Sequence, residues 1–138
     1  MLVTRINLLL QKIKARHAEA LIPHDVTPRQ VYVMMAIADS KEAPSQSDLV
    51  EITGVDRSTT SDMLRRLNKK GLIRRERAKD DARAYKVRLT PDGQQKLKAA
   101  IKVMQKIESG GNIAGVAALS TAVDRCLDAP AMKFAAAE

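Results

Sequence analysis

The stretch from Asp56 to Thr90, DRSTTSDMLRRLNKKGLIRRERAKDDARAYKVRLT, decides how this chain is read. It spells an amphipathic helix, a glycine stop, a basic strand, a polar loop and a second basic strand. Positive charge is concentrated there. Residues 56–106 carry sixteen Lys/Arg against six Asp/Glu, a net of +10. Residues 1–55 are neutral and residues 107–138 carry −2, within a chain of net +8. A basic block between flanks without net positive charge is the electrostatic footprint of a polyanion binder, and a helix followed by a basic hairpin has a shape that fits duplex DNA.

The helix can be divided by faces. At 100° per residue, Thr60, Met63, Leu64 and Leu67 fall on one side and are expected in the core. Ser58, Ser61, Asp62, Arg65 and Lys69 fall on the other. Short hydroxyls and an Arg on such a face reach base edges in a major groove, and the first-turn amides point toward a phosphate. Arg74, Arg75, Arg77, Lys86 and Arg88 suit phosphate contacts; the same charges also keep an exposed sheet edge from aggregating. In the second strand, Tyr85, Val87 and Leu89 alternate with Lys86 and Arg88, giving an apolar and a basic face. The connecting residues 79–84 are long enough to project as a wing.

Working outward, Ser45-Gln46-Ser47-Asp48 reads as a capping box with Asp in the usual Glu/Gln place. Leu49, Val50 and Ile52 form the apolar face of a short helix that Thr53-Gly54 ends. Asp56 caps the next helix, so helix, tight turn and helix follow one another. Before them, residues 4–21 carry a helical apolar pattern that Pro23 ends. Thr27-Pro28 starts another helix, with Val31, Met34, Met35, Ile37 and Ala38 as its buried side. After the strands, Thr90-Pro91 starts a long helix with Leu97, Ala100, Ile101, Met104 and Ile107 as its stripe. Gly110-Gly111 breaks it. A last helix is expected at about 113–127, with Val116, Leu119, Val123 and Leu127 on one side, and residues 129–138 read as a frayed tail.

The chain has 138 residues and 2% aromatics: Tyr32, Tyr85 and Phe134. Their scarcity argues against single-strand and RNA binding, which stack bases on aromatic platforms. One cysteine, Cys126, cannot make an internal disulfide. Leu8-Leu9-Leu10 is too short for a signal-peptide core, and no apolar run reaches membrane-spanning length. A cytoplasmic protein that contacts no membrane is the expectation. There is no phosphate-binding glycine loop and no nucleophile–base pair placed by motif, so no enzyme and no cofactor are expected. His17, His24 and Cys126 fall short of a metal set, so no metal is expected either. Cys126 is read as a spectator thiol on a packed helix.

The ordered set of pieces resembles the multiple-antibiotic-resistance regulator (MarR) family of bacterial winged-helix transcription factors. The pieces are Val26-Thr27-Pro28-Arg29-Gln30, the Ser45–Leu49 start, Arg57-Ser58-Thr59-Thr60 and Leu67-Asn68-Lys69-Lys70-Gly71-Leu72-Ile73. The Asp81-x-Arg83 element and Val87-Arg88-Leu89-Thr90-Pro91-Asp92-Gly93 complete it. The family's wing commonly reads Asp-Arg-Arg, and Ala82 here replaces the middle residue.

The resemblance implies a mainly α fold with a small two-stranded β-wing: a winged helix-turn-helix with dimerisation helices on either side of it in sequence. Residues 1–25 would be the first dimerisation helix, 26–90 the DNA-binding region, 91–128 the later dimerisation helices and 129–138 a tail. It implies a homodimeric repressor on a pseudo-palindromic promoter site in double-stranded DNA. The DNA-binding set would be Arg57, Ser58, Thr59, Ser61, Asp62, Arg65, Lys69, Arg74, Arg75, Asp81, Arg83 and Lys86, with Asp81 holding Arg83 for the minor groove. A small aromatic or anionic effector would sit near Arg16, His17 and Tyr32; the plainer reading is surface charge and a core-edge tyrosine. A sequence-tolerant architectural DNA binder, and a winged-helix protein-interaction module, remain the alternatives.

Overall fold

The computed structural model describes residues 1–79, 85–109 and 115–127. Six α-helices and two strands are found among them: α1 (Leu2–Leu21), α2 (Pro28–Asp39), α3 (Gln46–Thr53), α4 (Arg57–Lys69), β1 (Ile73–Arg77), β2 (Tyr85–Leu89), α5 (Pro91–Ser109) and α6 (Val116–Leu127). The chain gathers into two compact units. One comprises Arg29–Lys98; the other takes in the described residues of Met1–Pro28 and Ala99–Glu138.

In the Arg29–Lys98 unit each local signal has a visible cause. Ser45 caps α3: its hydroxyl oxygen accepts from the Asp48 amide at 3.2 Å, while the Asp48 carboxylate accepts from the Ser45 amide at 2.7 Å. That closes the capping box, with Asp serving in the Glu position. Gly54 ends α3 in the left-handed region at φ +67°. Asp56 then caps α4 by accepting from the Thr59 amide at 2.8 Å. At the far end of α4, the Leu72 amide donates to Leu67 and the Gly71 amide to Asn68, both at 3.0 Å. These two bonds form a Schellman stop, and Gly71 at φ +70° supplies the left-handed residue it needs.

The core of this unit lies where α2, α3, α4 and the strands turn their apolar sides inward. Thr60, Met63, Leu64 and Leu67 are buried, as the helical periodicity requires. Leu49, Ile73 and Val87 join them. Each such side chain contributes about 1.5–3 kcal/mol on leaving water. The strands pair antiparallel, with Ile73 opposite Leu89, Arg75 opposite Val87 and Arg77 opposite Tyr85. A bridge between Ser45 and Lys86, with the Val87 amide donating to Pro44 at 2.9 Å, ties the entrance of α3 to β2.

A backbone junction sets where α5 starts. The Thr90 amide donates to Leu72 at 3.0 Å and the Thr90 hydroxyl to Gly71 at 2.6 Å. The same hydroxyl oxygen accepts from the Gly93 amide at 3.0 Å, so Thr90 is the cap that the sequence suggests. Farther along α5, Leu97, Ala100 and Met104 are buried and Ile101 and Ile107 half-buried.

In the other unit, α1 ends where Pro23 enters a 3-10 turn, Ile22–His24, which Asp25 closes in the left-handed region. Leu21 and His17 are fully buried there.

Several sequence expectations need correction. α1 begins at Leu2 rather than residue 4, because nothing in its first turn breaks a helix. Ala38 is exposed, whereas Val33 and Gln30, which were not expected inside, are buried: α2 is covered on more than one side. The first basic strand, for which the sequence suggests Leu72 to Arg77, begins one residue later at Ile73, the Leu72 amide being committed to the Schellman stop. Tyr85 is 45% exposed, since it lies at the end of β2 farthest from the core. On the expected inner side of α6, Val116 is buried and Leu119 half-buried, but Val123 is exposed. Cys126 is exposed rather than packed. The residues 79–84 loop beyond Lys79 and the Gly110-Gly111 break lie outside the described residues.

Candidate nucleic-acid interface

With its apolar side buried, α4 presents a polar side to solvent. Gln46 of α3 and Arg57, Ser58, Ser61, Asp62 and Arg65 of α4 line one open groove. α3 and α4 are braced across its start: the Arg57 guanidinium donates to the Ser47 hydroxyl at 2.9 Å, and the Gln46 amide group to the Arg57 carbonyl at 3.4 Å. Ser58 is exposed and Thr59 half-buried. The first turn is less free than expected, because Asp56 already holds the Thr59 amide. Hydrogen bonding from the Thr59 side chain, then from its amide, keeps the Asp56 carboxyl below the ordinary carboxylate value.

Asp62 is the centre of the outer face. Its Oδ1 accepts from Arg65 Nη2, and its Oδ2 accepts from Arg66 Nε at 2.7 Å. Hydrogen bonding from Arg65, then from Arg66, holds its carboxyl below the usual range, outweighing desolvation. Both arginines stay largely in solvent. Arg66 was not among the expected site residues; its i+4 spacing from Asp62 is the signal that would have found it. Lys69 is exposed near the end of the helix.

The strands repeat the motif. Glu76 takes Arg74 Nε at 2.8 Å and Arg88 Nε at 3.3 Å, bridging the cross-strand pair Arg74 and Arg88. Lys86 lies 3.9 Å from the Asp48 carboxylate. Arg75 and Arg77 are exposed on the other face of β1. Asp81 and Arg83, with Ala82 between them, lie outside the described residues.

The expected effector residues divide. Arg16 is exposed and His17 is 1% exposed, both in the unit that contains α1; Tyr32 is partly exposed and belongs to the other unit. Surface charge is therefore the wrong description of His17. Its Nε2 is 3.2 Å from Glu108 Oε1, yet neither ring nitrogen has a partner at hydrogen-bond geometry. The distance makes this a contact; the angles keep it from being a good hydrogen bond. Among the described residues no group of three His, Cys, Asp or Glu side chains is placed to hold a metal. No helix among them is long and apolar enough to cross a membrane.

The sequence profile of the MarR family matches residues 24–84, from the approach to α2 through the interstrand loop. Over that stretch, 61 of its 138 residues, the chain is similar to the MarR family. It is 38% identical over 84 residues to transcriptional regulator HosA of Escherichia coli O127:H6, a match covering 61% of this chain and 62% of that protein. The match thus spans less than two thirds of these curated MarR-family relatives. Wild-type MarR of E. coli in its apo form superposes with TM-score 0.77 at 25% identity, covering 92% of this chain and 97% of that one. A mutant E. coli MarR complexed with operator DNA superposes with TM-score 0.73 at 26% identity, covering 91% and 93%. The mainly helical fold with its two-stranded antiparallel sheet is thus the winged helix of MarR structures. The similar proteins named here are transcriptional regulators, not enzymes.

Proposed function

We propose that this chain is a transcriptional regulator that binds double-stranded DNA as a homodimer and represses from a pseudo-palindromic promoter site. The observation that carries the reading is the two-sided α4: a buried apolar side fixes the helix, and the outer side offers hydroxyls, a carboxylate and guanidinium groups beside the Gln46 amide of α3. The DNA-bound MarR relative has the same fold over most of its length, which supports the same use of this face. α4 reads the major groove through Ser58, Ser61, Asp62 and Arg65. Arg57, Thr59, Lys69, Arg74, Arg75 and Lys86 supply phosphate affinity, and Arg83, held by Asp81, enters the minor groove.

Dimerisation is supported by α1, whose Leu2, Val3, Ile6, Leu8 and Leu10 side chains are all exposed. Such a run of apolar surface calls for a partner. Two α4 helices in a dimer require half-site centres about 10 base pairs apart, or a multiple of that. A small aromatic or anionic effector would release DNA by favouring a dimer with the wrong α4 spacing.

The test is binding of purified protein to its own upstream promoter DNA and to a scrambled duplex, across a salt series. A marked promoter preference that weakens as salt rises is expected, with Arg65→Ala losing that preference. Equal binding to both duplexes would favour an architectural DNA binder. No binding to either at low salt would remove the DNA reading.

A further inference from the structure

A carboxylate in the middle of a DNA-facing helix is a liability for phosphate affinity. Asp62 is 40% exposed and sits among the groove residues, where it would repel the backbone of any duplex. It also occupies two guanidinium groups, those of Arg65 and Arg66, which would otherwise be available to phosphates of any sequence. A surface ion pair of this kind contributes little to stability, so stability gives a weak reason for its presence.

We propose that Asp62 is a specificity-determining residue: its carboxylate, forked between Arg65 and Arg66, suppresses binding to arbitrary duplex DNA and selects a C·G base pair in each half-site. This rests on the DNA-binding reading above and deepens it.

The chemistry of the groove fixes the choice. An ionised carboxylate only accepts hydrogen bonds. In the major groove, guanine O6 and N7 and thymine O4 are acceptors and repel it, whereas the amino groups of cytosine N4 and adenine N6 donate to it. A guanidinium has the opposite need and matches guanine O6 and N7 bidentately. Asp62 and Arg65 are held side by side as acceptor and donor, one helical turn apart on the outer face. A C·G pair presents a donor on one base and two acceptors on the other. An A·T pair also offers a donor, adenine N6, but its two acceptors are split between the bases; only C·G leaves two acceptors together on one base for a bidentate guanidinium while giving the carboxylate its donor. Without the two guanine acceptors, Arg65 and Arg66 remain turned to Asp62 instead of to phosphate.

The test uses the full chain and its Asp62→Ala and Asp62→Asn variants. Each is incubated with a library of randomised duplexes, whose bound fraction is sequenced, and each is titrated with one scrambled duplex over a salt series. Asp62→Ala is expected to bind the scrambled duplex about five- to tenfold more tightly at 0.1 M salt. Its plot of log affinity against log salt should be steeper by about one unit, the value of one added phosphate contact. In the library it should lose one C·G preference per half-site. Asp62→Asn, which can both donate and accept, should move that position toward A·T. Base preferences unchanged at every position in both variants would overturn the proposal, as would weaker binding of Asp62→Ala to the scrambled duplex. Failure of the DNA reading itself has a different signature: the unaltered protein would bind no duplex at low salt, and both would fall together.

Discussion

A Cβ placed on Gly93 would stand 1.9 Å from the carbonyl oxygen of Leu72. No side chain can yield there, because the obstacle is backbone. The close approach follows from Thr90, which bonds both Gly71 and Leu72 and thereby brings the first turn of α5 onto the end of α4. Gly93→Ala should therefore destabilise the protein by about 3 kcal/mol, the upper range for overpacking. Gly71→Ala meets no atom within 4 Å and has only its left-handed backbone to strain, at about 1–2 kcal/mol. Urea unfolding of the two variants should rank them in that order; the reverse order would mean that the junction relaxes.

Ser45→Ala should cost about 1 kcal/mol, the usual value of an N-cap. The Ser45 hydroxyl serves twice, accepting from the Asp48 amide and donating to its carboxylate at 2.8 Å. The Ser45 amide first, then the hydroxyl, hold the Asp48 carboxyl below its ordinary value of 3.8. A depressed folded-state value means that this stabilisation is complete above about pH 4 and is lost as pH falls through the folded value. Asp48→Asn should consequently show less loss of stability than the unaltered protein between pH 5 and the acid limit, measured by thermal melts. Identical acid profiles would show that the box contributes nothing through charge.

Arg75 is exposed on β1 opposite Val87, directed away from the Glu76 fork that holds Arg74 and Arg88. Arg75→Ala should weaken promoter and scrambled DNA alike. The salt slope should fall by about one unit, as expected for one phosphate contact. A loss confined to the promoter would instead make Arg75 a base reader.

His17 is fully enclosed, whereas the Glu108 side chain beside it is about half in solvent. If the contact is held by packing, an apolar side chain of similar size should serve as well. His17→Leu should stay within about 1 kcal/mol of the unaltered protein. His17→Ala leaves a cavity and should cost about 2–4 kcal/mol. Equal losses in the two variants would show that the Glu108 contact, not the volume, is what His17 supplies.

Much of the Arg29–Lys98 unit was legible in the sequence because its signals are local. A helix cap is a hydroxyl or carboxylate three residues from an amide, so Ser45, Asp56 and Thr90 announce helix starts by themselves. Gly54 and Gly71 announce ends because few other residues accept φ near +70°. The buried side of α4 follows from a 100° rotation per residue, and the charge of the 56–106 block needs only counting. The α4 outer face could be nominated on the same grounds. Its internal pairing could not, because Asp62 has cations at both i+3 and i+4 and only rotamers decide which are engaged.

What the tertiary structure alone decided is non-local. No periodicity announces that His17 is enclosed or that Tyr85 lies in solvent; burial depends on what other elements lie over a residue. Nothing local tells that Gly93 is glycine for want of space rather than for backbone freedom, since the atom it must avoid belongs to Leu72. Short-range hydrogen bonds are written in adjacent residues, whereas exclusion and enclosure arise between segments that the chain brings together only on folding.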